Sequence, residues 1–69
     1  LSETMIWELE CMVDWFETMD KDYRIGGPAE RRTLEALDDR GLIVIDGDSV
    51  VDISNLGVKV NEVTNSLVN

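Results

Sequence analysis

Apolar residues recur at steps of three and four along the first third of the chain. Met5, Leu9, Met12, Phe16, Met19 and Tyr23 fall on one stripe, with Ile6 and Val13 beside them. That spacing is the mark of an amphipathic helix. Ser2, followed by Glu3 and Thr4, supplies capping chemistry and an acid at the positive end of the helix dipole. No Gly or Pro intervenes before Gly26, so the pattern predicts one helix over residues 1–23.

Gly26-Gly27-Pro28 breaks that pattern. Pro28 suits the first turn of a new helix, where its missing N–H is not needed. A second helix is predicted over residues 28–40, with Leu34 and Leu37 inward and Arg31, Arg32, Glu35, Asp38, Asp39 and Arg40 in solvent. Gly41 is the expected stop. Two β-branched runs, Leu42–Ile45 and Ser49–Ile53, flank Asp46-Gly47-Asp48 and predict a β-hairpin. The last stretch carries two signals. Val58, Val60 and Val63 favour a strand by propensity, whereas Leu56, Val60, Val63 and Leu67 keep a helical rhythm that Ser54 is placed to cap. The helix is the reading taken. The expected architecture is therefore a single α+β domain over residues 1–69, ordered helix, helix, hairpin, helix.

Leu34 to Gly57 reads LEALDDRGLIVIDGDSVVDISNLG. A helix ending in Leu-x-x-Arg-Gly-Leu-Ile, then a hairpin, then Ile-Ser-x-x-Gly opening another helix, resembles the C-terminal half of a winged-helix domain. The resemblance covers about a third of the chain. It implies that the leucines anchor a recognition helix and that the hairpin is a wing. The chain departs from the family in having one long helix where further short helices are usual. Its wing tip also carries Asp46 and Asp48, where DNA-binding wings present basic residues.

Composition narrows the chemistry. There is no His, one Cys, and six Lys or Arg against fifteen Asp or Glu, for a formal charge of −9. No internal disulfide and no zinc site can be assembled from these residues, so no metal and no cofactor is expected. Hydrophobic content of 43% fits a folded domain. A chain this short buries a small core, which makes self-association a natural device for added stability. No apolar run approaches the ~18 residues of a membrane helix, the start lacks a basic leader, and a lone reduced Cys fits the cytoplasm.

The first helix carries a second apolar stripe. Trp7, Cys11 and Trp15 stand four apart, and Glu3, Glu10, Asp14 and Glu17 run alongside. Two indoles edged by carboxylates suit a partner interface or a homodimer contact; the same stripe could instead be covered by the last helix and belong to the core. The acids could present spaced negative charge as a duplex presents phosphates, and so occupy a basic groove on a nucleic-acid-binding protein. They could equally form a solvated surface. Asp46-Gly47-Asp48 with Asp52 lacks the spacing of an EF-hand loop and reads as a turn. Cys11 has no His to activate it and lies among acids that disfavour a thiolate. Catalysis is not expected.

Arg31, Arg32 and Arg40 are the one cluster of positive charge. Under a winged-helix reading they would face DNA from a dimer built on the first helix. Glu30, Glu35, Asp38 and Asp39 on the same helix nearly cancel them, and phosphate binding by counterion release is opposed by the net charge. In size and charge the chain is similar to small acidic inhibitors of phages and plasmids, DNA mimics and anti-CRISPR proteins among them. The leading expectation is a non-enzymatic protein that docks through its first helix on a basic protein surface. A dimeric winged-helix regulator is the alternative.

Overall fold

A computed structural model describes the backbone of residues 1–68 and the side chains of residues 1–66. Its elements are α1 (Glu3–Met19), β1 (Tyr23–Arg24), α2 (Pro28–Asp39), β2 (Ile43–Asp46), β3 (Ser49–Ile53) and α3 (Asn55–Val68). The three strands form one antiparallel sheet in the order β1-β3-β2. The expected small α+β domain, with helix, helix, hairpin and helix in that order, is present, and a third short strand is added to it.

α1 starts where the capping chemistry placed it, with the Ser2 hydroxyl accepting from the Met5 N–H at 3.2 Å. It ends four residues earlier than the periodicity predicts. Asp20 takes a left-handed conformation (φ 49°, ψ 43°) that closes the helix, one that Asp tolerates better than most residues. Tyr23 and Arg24 then pair with Val50 and Ser49 across β3, and the Ile25 N–H donates to Asp48 O at 2.8 Å. The competing force is non-local: β1 covers an otherwise unpaired edge of β3 and brings Tyr23 and Ile25 against the core. Tyr23 is therefore a strand residue, not the last member of the helical stripe, and Met19 is 45% exposed.

α2 ends in a Schellman motif. The Leu42 N–H donates to Leu37 O at 3.1 Å and the Gly41 N–H to Asp38 O at 2.9 Å, with Gly41 at φ 73°. Leu37 and Leu42 both enter the core. The hairpin turns at Gly47, whose φ of 63° is positive while that of Asp48 is not, as in a II′ turn. A bulge between Val44 and Ile45 leaves Val51 as the extra residue of β3.

Ser54 caps α3. Its hydroxyl accepts from the Gly57 N–H at 3.0 Å and donates to Gly41 O at 2.5 Å. The helical reading of this segment holds, but of the described side chains in the apolar rhythm only Val60 packs against the core. Gly57 and Asn61 are buried, while Leu56 and Val63 are 55% and 50% exposed. The Leu67 side chain lies outside the described residues. The reason is steric. α3 approaches so closely that a Cβ on Gly57 would stand 2.0 Å from Leu42 O, and only glycine permits that approach. The buried Asn61 Oδ1 has no hydrogen-bond partner among the described residues.

The core is Met5, Leu9 and Met12 from α1, Leu34 and Leu37 from α2, and Leu42, Ile43 and Val50 from the loop and sheet. Gly57→Ala forces α3 away from Leu42 and is expected to cost at least about 1–3 kcal/mol, the range for overpacking, read from urea unfolding. Gly27→Ala, with nothing within 4 Å of the added Cβ, serves as the control. Equal stability of the two variants would contradict the close α3 contact.

Candidate functional site

The rotation of α1 is set by Met5, Leu9 and Met12, which point into the core. That leaves Trp7 61% exposed and Cys11 and Trp15 half-buried. Trp7 and Cys11 form a ridge with a groove on either side.

The groove on the α2 side has a volume of about 480 Å³. Trp7, Met12, Trp15 and Tyr23 supply its apolar walls, and Glu8 and Glu30 its charge. Trp15 and Tyr23 meet edge to face, with ring centroids 5.3 Å apart and an interplanar angle of 83°. The Trp15 indole N–H donates to Lys21 O at 2.8 Å, which ties the turn after α1 to the helix. The Lys21 ammonium stands 5.7 Å from the Trp15 ring centroid. Glu30 is held at both oxygens: Oε1 accepts from the Tyr23 hydroxyl at 2.5 Å and Oε2 from the Gly26 N–H at 3.1 Å.

The groove on the α3 side, about 520 Å³, is polar. Glu10, Asp14 and Glu17 line it from α1, and Asn61 and Asn65 from α3. The seven sequence-derived site residues are therefore divided. Trp7, Cys11 and Trp15 meet at the first groove; Trp7, Cys11, Glu10, Asp14 and Glu17 meet at the second. Glu3 is exposed in the first turn of α1 and lines neither.

Electrostatics follow from this crowding of carboxylates. The Glu8 pKa is raised, first by burial and then by the charge of Glu30. The Cys11 thiol is also pushed up, by burial and then by Glu8, Glu10 and Asp14, the opposite of what a nucleophile needs. Tyr23 rises to about 12, chiefly because its hydroxyl donates to Glu30. No group of three or more His, Cys, Asp or Glu among the described residues is placed to hold a metal.

Of the arginines in α2 and at its C-terminal cap, Arg31 and Arg40 are engaged. Arg31 donates through both Nη atoms to Gly47 O at 3.2 Å and lies 3.8 Å from Asp48 and 3.7 Å from Glu35. The Arg40 Nη1 donates to Ala36 O at 3.1 Å. Arg32 is exposed. Sequence reasoning missed Glu8, Tyr23 and Glu30. On a helical wheel Glu8 falls between Met12 and Trp15, so the signal was present for the first. For Tyr23 and Glu30 it depends on the β1 pairing, which no local pattern carries.

Compared with known proteins, the chain matches no family model, no curated protein and no solved structure.

Glu8 gives a pH test. Its folded pKa lies above its unfolded value, so the stability associated with it is intact below the ordinary value of 4.5 and is lost as pH rises through the folded value. Glu8→Gln is expected to raise the melting temperature at pH 7, with the gain disappearing well below that ordinary value. A gain of the same size at both pH values, or none at neutral pH, would contradict the crowding.

Proposed function

We propose that the protein is a non-catalytic binding module that docks through α1 on a basic surface of another protein. The natural target is a nucleic-acid-binding groove, which the module occupies as an inhibitor or regulator in the manner of a DNA mimic. One observation carries this reading: Trp7, 61% exposed, stands between two grooves whose charged side chains are all carboxylates. An exposed indole in such a setting is a ready hot-spot anchor. The surrounding acids accelerate encounter with a basic surface and reject acidic ones. The net charge of −9 extends the same bias over the whole molecule.

A homodimer through this ridge is disfavoured by the same charge, since each copy presents Glu10, Asp14 and Glu17 to the other. The alternative, a dimeric winged-helix regulator contacting DNA through Arg31, Arg32 and Arg40, asks Arg31 to leave the hairpin turn that it already binds. No described helix is long and apolar enough to cross a membrane. The proposed setting is the cytoplasm, where Cys11 stays reduced.

Immobilised protein is expected to retain a basic host protein from lysate at low salt and to release it at high salt. Trp7→Ala, at an exposed site, is expected to keep the fold and to weaken retention at least about tenfold, since hot-spot truncations cost about 2 kcal/mol or more. Recovery of no protein at low salt, or equal recovery by Trp7→Ala, would contradict the reading. A shift of duplex DNA by the protein alone would favour the alternative.

A further inference from the structure

We propose that the groove between α1 and α2 receives an arginine side chain of the docked partner, its guanidinium flanked by the rings of Trp7, Trp15 and Tyr23 and bound by the Glu8 carboxylate. This rests on the docking reading above and names the chemistry of its anchor.

The groove is chemically unbalanced as it stands. Three aromatic rings stand in its walls, its two charges are negative, and no Lys or Arg lines it. The two carboxylates differ in what they have left to offer. Glu30 already accepts a hydrogen bond at each oxygen, from the Tyr23 hydroxyl and the Gly26 N–H, which fix its position. Glu8 makes no hydrogen bond or ion pair among the described residues, yet it is half-buried and repelled by Glu30. A half-buried carboxylate beside a second one has no countercharge among the described residues, and an incoming cation supplies that charge together with hydrogen-bond donors.

The shape selects the kind of cation. A metal ion requires several oxygen ligands, and here Glu30 is already hydrogen-bonded at both oxygens, the Thr33 hydroxyl donates to Ala29 O, and most of the remaining lining is apolar. An ammonium is compact and strongly hydrated, and shedding that water in an aromatic groove is costly. A guanidinium is planar, more weakly hydrated and able to stack on rings, and its paired N–H groups match the two oxygens of one carboxylate. The volume of about 480 Å³ lies within the range of small-ligand sites, enough for one side chain. The protein's own Lys21 does not fill the site: it lies against Trp15 but is not among the groove's lining residues. A second copy of this chain, also at −9, is a poor donor of that arginine.

The test is a two-dimensional ¹H–¹⁵N NMR titration of the intact protein with Nα-acetyl-L-arginine amide at constant ionic strength. The neutral citrulline counterpart and the lysine counterpart are run beside it. The expected result is saturable shifts of the Trp7 and Trp15 indole N–H signals, with a Kd on the order of millimolar, as fits a single side chain. The citrulline compound is expected to give none and the lysine compound weaker binding. Glu8→Gln is expected to weaken the arginine response at least about tenfold, and Glu10→Gln, outside this groove, to leave it unchanged. No saturation by about 50 mM, equal responses to arginine and citrulline, binding of lysine as tight as arginine, shifts spread evenly over the acidic surface, or an unaltered Glu8→Gln would each overturn the proposal. Failure here with Trp7-dependent partner retention intact removes the arginine site and leaves the docking reading standing. Specific arginine binding without Trp7-dependent retention does the reverse.

Discussion

The rotation of α1 about its own axis is the constraint on which the rest depends. Met5, Leu9 and Met12 must face Leu34, Leu37 and Val50, because together they make up most of the buried core. Once those three positions are fixed, the 3.6-residue repeat dictates what every other residue of the helix faces. Trp7 and the line of Glu10, Asp14 and Glu17 turn outward, Cys11 sits at the margin, and Glu8 and Trp15 turn toward α2. A small core thus determines which side chains of the helix are left on the surface, and Met12 belongs both to that core and to the wall of the first groove.

The two grooves arise because neither neighbouring helix covers the flanks of α1 completely. On one side a groove remains between α1 and α2, with the rings of Trp7, Trp15 and Tyr23 around two acids. On the other, α3 comes in on Gly57 and Asn61 rather than on leucines, so the seam it forms with α1 is polar. The Asn61 oxygen, without a partner among the described residues, marks that seam as a place where a polar group is buried between packed helices. The crowding of Glu8 against Glu30 is a second such place. Both lie beside the ridge, and departures of this kind are often met at surfaces that serve binding.

Local chemistry made much of the fold legible. Ser2, Pro28, Gly41 and Ser54 each announce a helix boundary through a mechanism that acts within a few residues. Gly47 does the same for the hairpin. What the chain hides is non-local. The end of α1 at Met19 depends on the pairing of Tyr23 with Val50, twenty-seven positions away, and nothing near Tyr23 signals it. The inward face of α3 was hidden for a different reason: Gly57 and Asn61 share it with Val60, so apolar periodicity marks it at only one of its positions. The candidate site was half legible for the same reasons. The ridge of Trp7 and Cys11 and its acids follow from helical spacing alone, whereas the pairing of Tyr23 with Glu30 exists only once β1 is in place.

The central claim is that packing of α1 bares Trp7 and shelters Trp15 in an isolated protomer. It is tested most directly by ¹⁹F NMR of protein labelled with 5-fluorotryptophan, held dilute enough to be monomeric by sedimentation. Exchange of H₂O for D₂O reports the solvent contact of each ring. The account requires two resolved signals, a large isotope shift for Trp7 and a small one for Trp15. Equal shielding of both indoles in the monomer would mean that α1 is turned differently, and the docking face would be lost with it.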